Sequence, residues 1–162
     1  MFDVEYGYNC SFDFIKYCCD NAIYPKFKDK QIKARRVLEF GKKYYWDDAH
    51  KGEIPKDING FGNSILINIY DNKNSYINWH TDSIKNLKDK YVESYSFAIN
   101  KEDQDKILAV IEFRKNKEIT KIDIKHGTKI SWNLEYHYNN KISHRVLKTF
   151  YPRINLTKRN LI

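Results

Sequence analysis

Asn68-Ile69-Tyr70, then Asp71-Asn72-Lys73-Asn74-Ser75, then Tyr76-Ile77-Asn78-Trp79-His80-Thr81-Asp82, is the stretch on which the reading of this chain turns. A β-branched run from Ser64 to Tyr70 meets a turn-rich cluster and resumes as a short extended piece ending in His80-Thr81-Asp82. Alternate side chains of an extended segment share a face, so His80 and Asp82 are expected to point the same way. An imidazole and a carboxylate projecting together are two of the three groups of the 2-His-1-carboxylate triad, which holds Fe(II) and leaves coordination positions open. A His-x-Asp triplet by itself is common and more often a satisfied polar pair. The iron reading therefore needs a second histidine and an anion clamp elsewhere in the chain.

Downstream, the pattern is β throughout. Strand candidates are Ser64 to Tyr70, Ser94 to Ile99, Leu108 to Arg114, Glu118 to Lys125, Thr128 to Leu134, Ile142 to Leu147 and Arg153 to Thr157. Short runs at this spacing, broken by turns such as Lys115-Asn116-Lys117 and His126-Gly127, indicate a sandwich or jelly roll rather than βαβ units. Ile84 to Glu93 is charged and reads as a loop or short helix.

Of five histidines, His50 lies in a polar loop and His126 before a turn glycine, so both read as surface or turn residues. His144 sits in the strand-like Ile142-Ser143-His144-Arg145-Val146, while His137 lies between Tyr136 and Tyr138, where a ring can simply pack. Spacing favours neither as the third ligand. Near the end, Pro152-Arg153-Ile154-Asn155-Leu156-Thr157-Lys158-Arg159 alternates, placing Arg153, Asn155, Thr157 and Arg159 on one face and Ile154 and Leu156 on the other. Two guanidiniums facing inward are costly unless an anion pairs with them, and arginine takes carboxylates bidentately, so a small dicarboxylate is the natural occupant. On an outer strand in water the same row is harmless.

Upstream, Asn9 and Ser11 are helix-capping residues, and Phe12, Ile15, Cys19, Ala22 and Ile23 fall near one helical face before Pro25. A helix from Ser11 to Ala22 packed on a sheet is expected. Lys26 to Arg36 is strongly basic and passes through Val37-Leu38-Glu39-Phe40-Gly41 to the rings Tyr44-Tyr45-Trp46. A charge run is usually a solvated face, yet cations followed by rings also suit phosphates and bases. Asp47 to Gly62 reads as loop.

The 162 residues suit one domain with its own core. With 13 Tyr and 9 Phe at a mean hydropathy of −0.75, the chain is expected to bury rings inside a very polar shell. A net charge of +8 and a pI of about 9.2 favour a polyanionic partner. Cys10, Cys18 and Cys19 are odd in number, and the adjacent pair bridges only with strain. With no secretory leader and no transmembrane run, reduced thiols in an intracellular compartment, nucleus or cytoplasm, are expected, with no membrane attachment. No Cys/His spacing suggests zinc. The abundance of Lys, Asn, Ile and Tyr is what an AT-rich viral or microbial genome produces.

Taken in order, Asn68-x-Tyr70, His80-x-Asp82, His144-Arg145-Val146 and Arg153-x-Asn155-Leu156-Thr157-x-Arg159 resemble the AlkB family of Fe(II)- and 2-oxoglutarate-dependent nucleic-acid dealkylases. Phe61 to Asp82 is most similar to the animal members that repair alkylated DNA and RNA. Ser94-Tyr95-Ser96-Phe97 resembles the family's serine-rich strand, and Arg35-Arg36 through Phe40-Gly41 to Tyr45 its substrate lid. The resemblance covers about three quarters of the chain. It departs at Lys158, where the family has an aromatic, at Ile84, where an acidic residue is usual, and at Ala98-Ile99, where a glycine is usual.

The resemblance implies an α+β, mainly β fold: a double-stranded β-helix (jelly roll) core over 63–162, with the N-terminal helix and substrate-lid region in 1–62. It implies His80, Asp82 and His144 as catalytic iron ligands, with Fe(II), 2-oxoglutarate and O₂ as cofactor and cosubstrates. Arg153, aided by Tyr70, is then the partner of the distal carboxylate, with Asn68, Asn155 and Arg159 nearer the iron-chelating end. Arg35, Arg36, Phe40, Tyr44, Tyr45, Trp46 and Ile77 are the expected contacts to an alkylated base. The implied activity is oxidative demethylation of 1-methyladenine or 3-methylcytosine in DNA or RNA; a monomer is the default expectation. The alternative is a 2-oxoglutarate-dependent hydroxylase or demethylase acting on a protein or small molecule.

Overall fold

Ser64–Tyr70 is buried at all seven positions, as expected of a strand covered on both faces. The computed structural model describes residues 2–58 and 60–162. In chain order the elements are β1 (Asp3–Glu5), α1 (Phe12–Asn21), β2 (Lys26–Phe27), β3 (Lys30–Gln31), β4 (Arg36–Gly41), β5 (Ser64–Tyr70), β6 (Ile77–His80) and β7 (Tyr91–Ala98). Then follow β8 (Ile107–Lys115), β9 (Glu118–Lys125), β10 (Thr128–Asn133), α2 (Leu134–Asn139), β11 (Ser143–Val146) and β12 (Arg153–Arg159). A six-stranded sheet, β1-β10-β7-β12-β5-β4, faces a four-stranded one, β6-β11-β8-β9, and every ladder within them is antiparallel. This is the expected mainly β jelly roll with an N-terminal helix laid on its larger sheet.

The period-2 alternation decides what each face does. Ile65, Ile67 and Ile69 of β5 and Ile154 and Leu156 of β12 pack under α1, meeting Phe14, Ile15 and Cys18. Each such side chain, fully buried, contributes about 1.5–3 kcal/mol. Their neighbours Leu66, Asn68, Tyr70, Arg153, Asn155, Thr157 and Arg159 point the other way, into a cavity between the sheets. Deeper between the sheets, Val92, Ile130 and Trp132 pack on Ile111, Phe113, Ile122 and Ile124. The helix begins where expected, with Ser11 accepting from the Phe14 amide, but its buried face centres on Phe14, Ile15 and Cys18, and Phe12, Cys19 and Ala22 flank it.

One expectation needs correction, and two elements carried no expectation. The region after Ser64 is not β throughout, because Asn133 accepts from the Tyr136 amide and starts α2, ending the strand before Leu134. Arg36–Gly41, where the basic stretch ends, is a strand that pairs with β5 along its whole length. Lys26–Gln31 is a hairpin turning through Lys28 and Asp29 at φ +49° and +65°; with no glycine or asparagine at the turn, it carries no local hairpin signal. All three cysteines are free. Among the described residues no helix is long and apolar enough to cross a membrane.

Candidate metal and anion site

His144 lies directly opposite His80 in the β11–β6 ladder, so one cross-strand pair brings two imidazoles from distant parts of the chain to 4.2 Å between ring centroids. Asp82 follows just past the end of β6, where Thr81 donates its hydroxyl to the Ile142 carbonyl (3.0 Å) and fixes the departing chain. Ligand atoms of His80, Asp82 and His144 lie within 4.8 Å of one another, the one such group of His, Cys, Asp or Glu side chains among the described residues. His80 Nδ1 lies 2.7 Å from the Asn78 carbonyl, which can only accept, so Nδ1 carries the proton and Nε2 faces Asp82 Oδ1 at 3.4 Å. Nε2 and the Asp82 carboxylate thus face one another, where either a proton or a metal cation can be shared between them.

The electrostatics prepare this set. Burial pushes the Asp82 carboxyl up, but Arg159, bonded to its Oδ2 at 2.7 Å, and the two histidines outweigh it and hold the group well below the usual carboxylate range. Burial pushes His144 down to about 3, so its ring is neutral and its lone pair free. Burial also lowers His80, but its bond to Asp82 overrides this and raises it.

Beside the triad lies an anion receptor. Arg153 is 1% exposed; its Nη1 donates to Ser96 (3.1 Å), its guanidinium stacks 4.1 Å from the Tyr70 ring centroid, and Nε and Nη2 have no partner among the described residues. Asn155 is locked by Ser94, Ser96 and Thr157, which keeps the row from turning. An unpaired buried guanidinium is costly, so the donor geometry suits a carboxylate. Arg159 Nε is likewise unpartnered.

The cavity, about 740 Å³, brings together His80, Asp82, His144, Asn68, Tyr70, Arg153, Asn155, Arg159, Arg35, Tyr44, Tyr45, Trp46 and Ile77. Arg35 donates to Asn68 (2.8 Å), and Tyr44 lies under the Arg159 guanidinium, 4.1 Å away. Tyr45 is 58% exposed and meets Trp46 edge-on, its amide held by the buried Glu39 carboxylate (2.8 Å). Two expected substrate contacts fall elsewhere. Phe40 alternates to the helix side of β4, 2% exposed against Phe14, and Arg36 is spent on Asp71 (2.6 Å) and the Cys19 carbonyl. His137 sits on α2, stacked on Trp132, and does not join the group of three ligand atoms. His126 accepts from the Ala98 amide and His50 bonds the Gly41 carbonyl, as turn residues do. Sequence reasoning missed Phe27 of the hairpin, Ile32 just after it, and the cations Lys43 and Lys85, all of which line the cavity.

No family model matches this chain, and no curated protein matches it in sequence. Among solved structures, a crystal structure of a Pseudomonas putida prolyl-4-hydroxylase is similar in fold, with a TM-score of 0.56 and 10% identity over 98% of this chain and 92% of that one.

Proposed function

We propose that this chain is an Fe(II)- and 2-oxoglutarate-dependent dioxygenase that demethylates N-alkylated bases, of the 1-methyladenine and 3-methylcytosine type, in DNA or RNA. The observation that carries the reading is that the His80-Asp82-His144 group and the Arg153 guanidinium, whose Nε and Nη2 have no hydrogen-bond partner among the described residues, line the same cavity. Two nitrogens and one carboxylate with open positions suit Fe(II), and the orphaned N–H groups suit the distal carboxylate of 2-oxoglutarate. When bound, the metal and cosubstrate supply the oxidising power: O₂ is consumed, 2-oxoglutarate leaves as succinate and CO₂, and the hydroxylated methyl group leaves as formaldehyde.

The protein's share is positioning and exclusion of water. Arg153 and Tyr70 orient the cosubstrate, and Asn68 and Asn155 present amides beside it. Arg159 keeps Asp82 ionised and aimed at the metal position. Ile77 forms an apolar wall, and the exposed Tyr45 with Trp46 offers a stacking surface at the mouth. Lys43, Lys85 and Arg35 supply cations for phosphates there. The alkylated atom lies on the base-pairing edge, so the target nucleotide enters unpaired or flipped out. The +8 net charge supports a polyanionic substrate.

A second reading, hydroxylation of a protein or small molecule, is favoured by the prolyl-4-hydroxylase likeness. The test is 2-oxoglutarate turnover with a panel of methylated single strands, double strands and peptides, comparing wild type with His80→Ala. Succinate and formaldehyde released with methylated oligonucleotides alone support demethylation of nucleic acid. Turnover stimulated only by peptides rejects it.

A further inference from the structure

Ile77 and His80 both line the cavity although they are three residues apart, a spacing that puts side chains on opposite faces of a regular strand. The ladder explains it. His144 pairs with His80 and Val146 with Ile77, so β6 takes three steps where β11 takes two. The surplus lies at Asn78-Trp79, and a β-bulge of this kind re-aims the residue that follows it. The bulge is held at three points. Asn78 Oδ1 accepts the Trp79 amide (2.9 Å), and the Asn78 carbonyl meets His80 Nδ1 (2.7 Å). The Trp79 ring turns to the sheet's outer side, where the Arg114 and Arg145 guanidiniums lie 4.2 and 4.5 Å from its centroid. Arg145 is itself bonded to the buried Glu112 (2.6 Å).

Among the described residues β6 is an edge strand whose one ladder is that interrupted one. Backbone pairing alone therefore fixes little at Asn78-Trp79, and a slip there would swing His80 out of the cavity. The two arginines project from strands whose preceding residues, Phe113 and His144, pack together on the inner side, His144 as a candidate ligand and Phe113 behind it. The stack thus ties the bulge to the same two strands that carry the opposite imidazole.

We infer that the Asn78-Trp79 bulge, locked from outside by the Arg114–Trp79–Arg145 stack, is a positioning device that commits His80 Nδ1–H to the Asn78 carbonyl and presents Nε2 to the metal. The purpose of Nε2 rests on the iron reading; the geometry of Nδ1 does not. A ring whose second nitrogen is held by a carbonyl is oriented before the metal arrives, and losing such support typically lowers metal affinity 10–100-fold.

Two readouts test this on the whole protein. In metal-free, ¹⁵N-histidine-labelled protein, the His80 Nδ1–H proton should be protected from solvent exchange in the wild type and in Trp79→Phe. In Trp79→Ala and in Arg114→Gln its exchange should quicken about tenfold or more, while the amides of α1 keep their protection. Titration with Co(II), followed by its visible absorption, should show the same order, with affinity at least about tenfold lower in Trp79→Ala. Should Trp79→Ala fail to fold, Arg114→Gln decides. An unprotected wild-type Nδ1–H, or variants with wild-type protection and affinity, overturns the inference. A protected Nδ1–H in a wild type that binds no Co(II) sustains the positioning geometry and refutes the iron reading instead.

Discussion

Replacing Arg153 with Met should act in opposite directions on the empty protein and on the protein with 2-oxoglutarate. The side chain is 1% exposed and its Nε and Nη2 are unpartnered, so the folded protein carries a cation only partly compensated. Desolvating such an ion costs several kcal/mol, roughly 5, after relaxation. Against this stand one charged hydrogen bond, to Ser96, of about 2 kcal/mol, and the stacking on Tyr70, also about 2 kcal/mol when desolvated. Met is of similar length and needs no partner, so Arg153→Met should stabilise the ligand-free protein by about 1 kcal/mol, or about 2–4 °C in Tm. With 2-oxoglutarate at a hundred times its Kd, the wild type gains about 2.7 kcal/mol and the variant nothing. The order of the two melting temperatures should therefore reverse on adding the ligand, read by thermal melts with Mn(II) and 2-oxoglutarate and without them. A variant that melts lower when empty, yet shifts with 2-oxoglutarate as the wild type does, refutes the reasoning.

Exchanging His144 for Ala should abolish Co(II) binding. His137→Ala should leave that binding intact and instead cost about 2–3 kcal/mol of stability in a denaturant titration, because its ring is packed on Trp132 and Phe113. Metal binding must displace the proton that the raised pKa of His80 retains, so affinity should be full at alkaline pH and fall as pH drops through that value, above 6.5. Stability of the metal-free fold should decline as pH falls from 6.5 toward about 3, since the unfolded chain protonates His144 there and the folded one does not. His80, raised, works in the opposite sense but only at higher pH, where its stabilisation is lost on deprotonation. Gly62→Ala, at φ +85° with a Cβ 2.4 Å from the Arg159 carbonyl oxygen, should cost about 2 kcal/mol or more and loosen the Arg159–Asp82 pair. Tyr45→Ala should weaken binding of methylated single strands by about 1–3 kcal/mol with an unchanged salt slope, whereas Lys43→Ala with Lys85→Ala should flatten that slope.

The strands and the polar row of β12 were legible because period-2 alternation is a local property. Ile154 and Leu156 could not share a face with Arg153 and Arg159, and they do not. The choice between His137 and His144 was not legible, since it depends on which strand lies beside β6. Phe40 and Arg36 were misjudged for a related reason: once Arg36–Gly41 is a strand, alternation sends Phe40 under α1, and Arg36 finds Asp71 just past the end of the neighbouring β5. The hairpin at Lys26–Gln31 left no trace because its turn uses Lys28 and Asp29 where glycine or asparagine is the usual sign. The three-residue spacing of Ile77 and His80 was visible throughout, but only the ladder to β11 shows that it is a bulge.

The central claim is that one pocket holds Fe(II) on His80, Asp82 and His144 and seats 2-oxoglutarate on Arg153. Its most direct test is an anaerobic titration of the Fe(II)-loaded protein with 2-oxoglutarate, watching for the visible charge-transfer band of a chelated 2-oxo acid. The account expects a saturable band at one equivalent of iron in the wild type, absent in His144→Ala and greatly weakened in Arg153→Met. A wild type without the band, or a His144→Ala variant that keeps it, contradicts the account.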